Sequence, residues 1–377
     1  MKILLVADEF FAWRVFGGFG MFTRKLGGEL VKRGVEVDAV VQWISDEQKP
    51  VGETEVIDGV HVATLPRKKL AKLWNMKLYL TDADIIHSQC GMYDTYLTFK
   101  RNMNAKKILT FQDLRTGEEY NLTAPLERFG GYPWYKRPWA RYVMNCYQKA
   151  VENADLIGVQ AKLLIPKVLS TYNLQALPTF LPNFIDVPSD NIKKSERPSV
   201  VWLARLDLIK RPELCFELAK ETPDVDFFVL GASHDEARDA WLRQKYQGIE
   251  NLYLLGFQSG DVKEQILRES WILINTSIYE CLPVSFLEAC AHKCAVLSTQ
   301  NPDDFAKNFG AWSEPTIKSL KENLEWLLNN EKWRVLGEKG YRYVKENHST
   351  DKGVEAHLRV YQKLLDKDFG QEGTASE

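Results

Sequence analysis

The chain alternates short apolar runs with segments of helical periodicity, and this alternation restricts its fold more than any other feature. Runs such as ILLVA at 3–7 and KKILTF at 106–111 have the length and composition of buried strands, and a helix-period stretch at about 19–32 follows the first of them. Strands that alternate with helices predict βαβ units, in which helices cover both faces of a parallel sheet. The pattern therefore predicts an α/β fold.

The alternation occurs twice along the chain. A polar segment with two prolines, VPSDNIKKSERPS at 187–199, separates the halves and is the best candidate for a linker. Beyond it, strand-like runs resume with SVVWLAR at 199–205, DFFVLG at 226–231 and CAVLST at 294–299. A chain of 377 residues has room for two domains of ordinary size. The second half therefore predicts a second doubly wound domain.

The net charge, the cysteines and the first residues of the chain indicate which partners and which cellular compartment to expect. The formal net charge is −2, which provides no overall field to recruit nucleic acid. The six cysteines form no C-x-x-C pair, so we expect reduced thiols in a cytoplasmic protein and no metal site. The first residues, MKILLVADEF, predict a strand rather than a signal peptide.

Open parallel sheets bind ligands at the carboxyl ends of their strands, so the residues at those ends are the candidates for a site. Gly17, Gly18 and Gly20 follow the first predicted strand and precede a helix, where backbone N–H groups favour phosphate. Thr23 stands where a dinucleotide fingerprint has its third glycine, which argues against that motif. A turn that merely needs glycine explains this fragment equally well.

Two cations follow the first predicted strand of the second half. Arg205 comes directly after it, and Lys210 comes five residues later, before a helix that Pro212 would begin. Two cations at one strand-to-helix loop can bind a diphosphate. The alternative is a pair of solvated surface charges.

The segment IYECLPVSFLEACAHKCAVLST at 278–299 carries the strongest signal. Glu280 lies in a predicted loop, and Glu288 lies eight positions later in a predicted short helix. Ionised carboxylates accept hydrogen bonds, Glu280 from sugar hydroxyls and Glu288 from a ribose diol. The backbone N–H groups near Val284 and Ser285 would point at phosphate at the start of that helix. Two surface glutamates are the alternative, which the apolar neighbours of Glu288 disfavour.

These segments together resemble the motifs of family-4 glycosyltransferases of the GT-B fold, the glycosyl transferases group 1. The resemblance runs from residue 1 to about 366 and rests on five ordered motifs. They are Gly17-Gly18 to Arg33-Gly34, Asp84-Ile85-Ile86-His87, Pro182-Asn183-Phe184-Ile185-Asp186, Ala204 to Pro212, and Glu280 to Glu288 followed by Ala295-Val296.

The resemblance implies two Rossmann-like domains with a cleft between them and a C-terminal helix that crosses back to the first domain. The expected bounds are 1–187 plus 355–370 for the acceptor domain and 188–354 for the donor domain. It also implies a retaining, metal-independent hexosyltransferase that moves a sugar from a nucleoside-diphosphate sugar to an acceptor hydroxyl, with no cofactor. The transferred sugar would be oriented by Glu280 and Gln112, with Asp113 as a candidate for proton handling.

Two departures from the family pattern leave other functions open. Gln112 stands where the family commonly has a histidine, and glutamine cannot titrate. Ala204 replaces the glycine before the phosphate-binding arginine. A non-catalytic protein that binds nucleotide sugars is therefore one alternative, and a sugar-nucleotide epimerase on the same fold is another. The motifs do not indicate the base, the sugar or the acceptor.

Two segments of the first half suggest contacts with an acceptor. PRKKLAKLWNMKLYL at 66–80 is basic and amphipathic, so it can contact an anionic membrane or present a basic face to water. The segment at 120–141 is rich in aromatic residues, which are Phe129, Tyr132, Trp134, Tyr135 and Trp139. Their rings can stack on sugars, or the segment is an irregular loop that packs against the rest of its domain. The expected acceptor is a glycan or a lipid-linked sugar, in the cytoplasm or at the inner face of the membrane.

Overall fold

The structure is a computed structural model that describes residues 1–11, 18–42, 54–66, 72, 74–89, 93–126 and 137–366, without the side chains of 137–140. Several predictions lie outside the described residues. They concern Gly17, the basic residues at 67–71, and the aromatic side chains of Phe129, Tyr132, Trp134, Tyr135 and Trp139.

The chain divides into two compact units. The first comprises the described residues within 1–114, 132–183 and 351–377, and the second those within 115–131 and 184–350. Each contains a sheet of parallel strands with helices between successive strands, which confirms the predicted pair of Rossmann-like α/β domains.

The sheet of the first unit has eight strands in the order β3-β4-β2-β1-β5-β6-β7-β8. All neighbouring pairs are parallel except β3 and β4, which form an antiparallel edge. The central strands are buried because almost every residue in them is apolar, as in β1. The bounds are β1 Lys2–Ala7, β2 Glu36–Gln42, β3 Thr54–Ile57, β4 Val60–Leu65, β5 Ile85–Ser88, β6 Lys106–Phe111, β7 Leu156–Val159 and β8 Thr179–Phe180.

Helix α1 packs closely against the sheet of this unit. A side chain at Gly27 would bring its Cβ to 2.9 Å from Cγ2 of Val60 in β4, so the small residue permits the close approach. The described helices of this unit near the sheet are α1 Gly18–Lys32, α2 Tyr93–Arg101, α4 Arg137–Glu152 and α5 Leu164–Tyr172.

The last helix of the chain, α13 (Thr350–Leu365), packs on the first unit, as predicted. His87 of β5 is fully buried, and its Nδ1 lies 2.7 Å from the hydroxyl of Tyr361 in α13. The ring of His357, one turn earlier, lies 6.1 Å from that of Phe22 in α1. The apolar stripe of this helix thus has its partner surface in the first unit.

The sheet of the second unit has six parallel strands in the order β11-β10-β9-β12-β13-β14. Its core includes Trp202, Phe216, Phe227 and Trp333, and Trp333 stacks on Trp271 with ring centroids 4.3 Å apart. The bounds are β9 Ser199–Leu203, β10 Asp226–Leu230, β11 Leu252–Gly256, β12 Ile272–Asn275, β13 Ala295–Ser298 and β14 Gly310–Trp312.

Most helices of the second unit follow its strands in the usual βαβ manner, whereas one short helix at 117–123 precedes them in the chain. Pro212 occupies the first turn of the helix after β9, as its position predicts. The bounds are α3 Gly117–Thr123, α6 Pro212–Glu221, α7 Glu236–Lys245, α8 Gly260–Glu269, α9 Val284–Ala291, α10 Phe305–Phe309, α11 Ile317–Leu328 and α12 Lys332–Asn347. Within the described part of the chain, no helix is both long enough and apolar enough to cross a bilayer.

Candidate active site

The carboxyl ends of β9 and β10 approach each other very closely in the second unit. A Cβ added to Gly231, which follows β10, would lie 1.9 Å from the carbonyl oxygen of Ala204, which follows β9. Only glycine fits there, so the loops after these two strands are held side by side. The residues of those loops therefore share one edge of the sheet.

Arg205 lies in a small polar cluster at this edge. Its Nη1 is 3.1 Å from Nδ1 of His234, and its Nε is 3.3 Å from Oδ2 of Asp207. Asp207 also accepts hydrogen bonds from the hydroxyl and backbone groups of the loop after β10, at Ser233 and His234. The guanidinium remains about half exposed, so it is oriented by Asp207 and still faces solvent.

Lys210 forms an ion pair with Glu280, although 70 positions separate them. Its Nζ lies 2.6 Å from Oε1 of Glu280, and both side chains are largely buried. The same oxygen accepts hydrogen bonds from Ser277 at 2.6 Å and from Asn275 at 3.1 Å. Burial alone would raise the pKa of Glu280, but the charge of Lys210 and these hydrogen bonds hold it below its usual range.

The loops that carry Lys210 and Glu280 are tied together by Arg211. This residue has the left-handed conformation, with φ at 50°, and its Nε donates to the carbonyl of Thr276 at 2.7 Å. In return, the hydroxyl of Thr276 donates to the carbonyls of Lys210 and Arg211. These reciprocal bonds fix the distance between the two loops and so the geometry of the ion pair.

Glu288 is held in a second ion pair. Its Oε1 lies 2.6 Å from Nζ of Lys263 in α8, and both side chains are mostly buried. Burial would lower the pKa of Lys263, but the charge and hydrogen bond of Glu288, together with the nearby charge of Glu264, raise that pKa above its usual value. His292 joins the group, because its Nδ1 contacts the carbonyl of Glu288 and its Nε2 lies 2.8 Å from Glu264.

Helix α9 begins between the two glutamates. Its N-cap residue is Pro283, which provides no side-chain acceptor for the first turn. The backbone N–H groups of Val284 and Ser285 have no intrahelical acceptor because they lie in that turn, so they are suited to an anion. The helix dipole adds a partial positive charge at this position.

The candidate residues of the first unit lie at the carboxyl ends of its strands. Gly18 is exposed at the start of α1, and its neighbour Gly17 is outside the described residues. Gln112 and Asp113 directly follow β6, and the Gln112 side chain is buried. The described residues contain no group of three His, Cys, Asp or Glu side chains placed to hold a metal ion.

Two protein-family models match separate parts of this chain. Residues 186–343 match the family described as glycosyl transferases group 1, and residues 2–115 match the starch synthase catalytic domain. Two separate parts of the chain thus match glycosyltransferase family models, and its solved structural neighbours have the GT-B fold. A human relative, one of the subunits of phosphatidylinositol N-acetylglucosaminyltransferase, is 28% identical over 159 residues, which are 38% of this chain and 32% of that protein. The match thus spans about a third of that protein's length.

Solved structures of glycosyltransferases share the fold over nearly the whole chain. Sucrose-phosphate synthase from Thermosynechococcus elongatus is similar with a TM-score of 0.75 at 17% identity, covering 97% of this chain and 99% of that one. HepE from Anabaena, solved with UDP and glucose, has a TM-score of 0.70 at 12% identity, with coverage of 96% and 99%. Starch synthase IV from Arabidopsis thaliana, solved with ADP and acarbose, has a TM-score of 0.67 at 13% identity, with coverage of 97% and 99%.

The structure adds residues to this candidate site that the sequence motifs did not indicate. Lys263 pairs with Glu288, His234 contacts Arg205, and Ser277 donates to Glu280. His234 and Ser277 lie in the loops after β10 and β12, and a position just beyond a strand end is the signal that could have identified them. Lys263 lies within a helix, and no comparable signal marks it.

Proposed function

We propose that this glycosyltransferase transfers a hexosyl group from a nucleoside-diphosphate sugar to an acceptor hydroxyl with retention of configuration and without a metal ion. The observation that carries the proposal is the set formed by Lys210, Glu280 and the start of α9. Their positions at one edge of the second sheet bring an ammonium, a carboxylate and free backbone N–H groups together. A nucleoside-diphosphate sugar presents matching phosphates and hydroxyls.

The leaving group in this reaction is a nucleoside diphosphate, which gains negative charge as the glycosidic bond breaks. Arg205 and Lys210 would stabilise that charge, with the N–H groups of Val284 and Ser285 as further donors. Gly17 and Gly18 would add backbone N–H groups from the start of α1. Lys210 uses one of its three N–H donors for Glu280, so the others can reach phosphate oxygens. These groups together would supply the charge neutralisation that a metal ion provides in other transferases.

The two glutamates would bind opposite ends of the donor. Glu288 has one oxygen occupied by Lys263, and its second oxygen would accept from the ribose diol. Glu280 has Oε1 occupied by three donors, so Oε2 would accept from a hydroxyl of the transferred sugar. Both carboxylates must be ionised for this role, and the lowered pKa of Glu280 provides that at neutral pH.

The reacting centre needs no enzymatic nucleophile if the acceptor attacks on the face from which the diphosphate departs. Gln112 would contact a sugar hydroxyl, and Asp113 is the candidate for receiving the acceptor's proton. The expected product has the anomeric configuration of the donor. Proton NMR of the first product distinguishes this outcome from inversion, because the anomeric coupling constants differ.

The acceptor is proposed to be a glycan or a lipid-linked sugar, at the cytoplasmic face of a membrane in the second case. Trp74 is 87% exposed, and Leu80 and Met103 are also exposed large apolar side chains of the first unit. The chain segments that carry Leu80 and Met103 are joined by a hydrogen bond from Asn102 to the carbonyl of Tyr79. An exposed tryptophan suits a membrane interface.

The test begins with thermal stability in the presence of UDP-, ADP- and GDP-sugars, followed by release of nucleoside diphosphate from the sugar that stabilises most. Transfer to an added acceptor or to water supports the proposal. Stabilisation without turnover would indicate a binding protein. Conversion of the donor to an epimer, with no diphosphate released, would indicate an epimerase.

A further inference from the structure

A lysine in the predicted linker reaches into the second unit and ends among backbone carbonyls. The Nζ atom of Lys194 donates to the carbonyl of His292 at 2.6 Å and to that of Leu267 at 3.5 Å. It also donates to the carbonyl of Ser270, and the thiol of Cys294 lies 3.4 Å away. No carboxylate of the described residues pairs with it. These acceptors therefore compensate a lysine that has left water, a transfer that is costly without partners.

The carbonyls around Lys194 belong to the C-terminal ends of two helices. Leu267 lies in the last turn of α8, Ser270 caps that helix, and His292 caps α9. Carbonyls at a helix end have no intrahelical donor, and the helix dipole places a partial negative charge there. The ammonium therefore supplies donors to both helices and is stabilised by two dipoles. A single side chain thereby holds the ends of α8 and α9 together.

The same two helices carry the ion pair between Lys263 and Glu288. Lys263 lies near the start of α8 and Glu288 lies in α9, with 2.6 Å between Nζ and Oε1. A second contact joins Glu264 of α8 to His292 at 2.8 Å. Lys194 adds a third connection, which comes from outside both helices. Its own position is fixed, because the backbone N–H of the following residue donates to the carbonyl of the last residue of α8 at 3.0 Å.

We propose that Lys194 is a positioning residue for Glu288, which it orients by fixing the ends of α8 and α9 relative to each other. The inference rests on the proposed ribose role of Glu288 and extends it to a residue outside the contacts with the donor. One oxygen of Glu288 stays with Lys263, so the direction of its second oxygen depends on how the two helices are spaced. Two hydrogen bonds from a ribose diol require alignment within about 0.5 Å. A larger shift of α9 would lose these bonds, although the ion pair would survive.

Matched substitutions separate this role from a general effect on stability. Lys194→Met removes the ammonium and keeps the apolar stem, whereas Lys194→Arg keeps the positive charge and its N–H donors. Lys193→Met changes the exposed neighbour and is the control. Glu288→Ala removes the carboxylate that Lys194 is proposed to orient. Every variant is assayed at a temperature at which circular dichroism shows it folded, so that lost stability does not contribute to the measured affinities.

The measurement is the preference for ribose over 2′-deoxyribose. Calorimetry compares UDP, ADP or GDP, whichever wild type prefers, with its 2′-deoxy counterpart, and a hydrogen bond to a carboxylate should give wild type a preference of about tenfold or more. Glu288→Ala and Lys194→Met should both lower this ratio to about threefold or less, mainly through weaker binding of the ribonucleotide. Lys194→Arg should recover part of the ratio, and Lys193→Met should keep all of it. With the nucleotide sugar, KM of Lys194→Met should rise in parallel while kcat stays within about threefold, because uniform binding is what has been lost.

The inference is wrong if folded Lys194→Met keeps the wild-type ratio, weakens both nucleotides equally, or is matched by an equally low ratio in Lys194→Arg. Each of these results would give Lys194 a role in stability alone. Should the methionine variant not fold, Lys194→Gln, which keeps a neutral donor, is held to the same criteria. If Glu288→Ala keeps the wild-type ratio, or wild type shows no preference for ribose, the ribose role of Glu288 falls and this inference falls with it. Failure of wild type to bind any nucleoside diphosphate would instead refute the proposed function itself.

Discussion

Replacing Lys210 with methionine should reduce both the stability of the second unit and its affinity for nucleoside diphosphates. Lys210 and Glu280 are only 18% and 11% exposed, so the substitution leaves a carboxylate in a poorly solvated position. Removing one partner of a buried pair typically costs about 3–5 kcal/mol. Glu280 keeps its bonds from Ser277 and Asn275, so the expected loss is about 2–3 kcal/mol.

This loss is measurable as a change in Tm and as a coupling energy. At roughly 2–4 °C per kcal/mol for a domain of this size, Tm should fall by about 4–12 °C. Lys220→Met, at an exposed position in α6, is the matched control and should leave Tm within about 2 °C. The double variant Lys210→Met with Glu280→Gln should recover part of the loss, with a coupling energy of about 1 kcal/mol or more.

The dependence of this effect on pH follows from the lowered pKa of Glu280. The pKa of the Glu280 carboxyl is lower in the folded protein than in the unfolded chain, so this group stabilises the fold at any pH above its unfolded pKa. That stabilisation is lost as the pH falls through the pKa of the folded protein. In Lys210→Met, Glu280 stays buried but has lost the nearby lysine charge, so the pKa of its carboxyl should rise. The Tm deficit of the variant should therefore shrink as pH falls from 7 to 5. A deficit that is independent of pH would refute the electrostatic explanation.

Nucleotide binding provides the functional half of this prediction. The loss of one charge-assisted hydrogen bond should weaken nucleoside-diphosphate binding about tenfold or more, measured by titration calorimetry on protein that is fully folded at the assay temperature. Turnover should fall by roughly a hundredfold, since the bond strengthens as the diphosphate departs. Unchanged affinity and turnover in the folded variant would remove Lys210 from the site.

Three further outcomes test other parts of the molecule. Glu288→Ala should reduce donor affinity while the fold survives, and full nucleotide affinity in that variant by calorimetry would exclude the ribose role. Activity should persist in excess EDTA, and a loss restored by Mn²⁺ or Mg²⁺ would contradict the metal-independent mechanism. Burial lowers the pKa of His357 from 6.5 to about 4. As pH falls, this histidine therefore takes up a proton in the unfolded chain before it does so in the folded protein. The free energy of unfolding should fall by up to about 3 kcal/mol between pH 6.5 and 4. The same Tm decline in His357→Leu would rule out this residue as the cause.

The sequence was sufficient to predict the strands because their signal is local. The run at 106–111 coincides with β6, since buried parallel strands need continuous apolar residues. The edge strand β3 was not predicted because three of its four residues are exposed and no such run exists. The short strand β14 has only three residues, Gly310–Trp312, which is too few for a periodicity.

The candidate site was only partly predictable for the same reason. The positions of Lys210 and Glu280 after strands were readable, but their pairing depends on β9 and β12 being neighbours in the sheet. The pairing of Lys263 with Glu288 depends on which side chains two packed helices bring together.

The two lysine–glutamate pairs of the candidate site, Lys210 with Glu280 and Lys263 with Glu288, affect how the second unit would bind a dianionic diphosphate. Lys210 and Lys263 are each compensated by a glutamate, so neither pair adds net positive charge. Arg205 shares its compensating carboxylate, Asp207, with the polar groups of the loop after β10 and remains half exposed. A diphosphate would therefore draw most of its charge compensation from Arg205 and the start of α9, while Lys210 contributes directed N–H groups rather than net charge. Because the lysine–glutamate pairs are already formed, this edge of the sheet keeps its geometry without ligand, and little reorganisation would oppose donor binding.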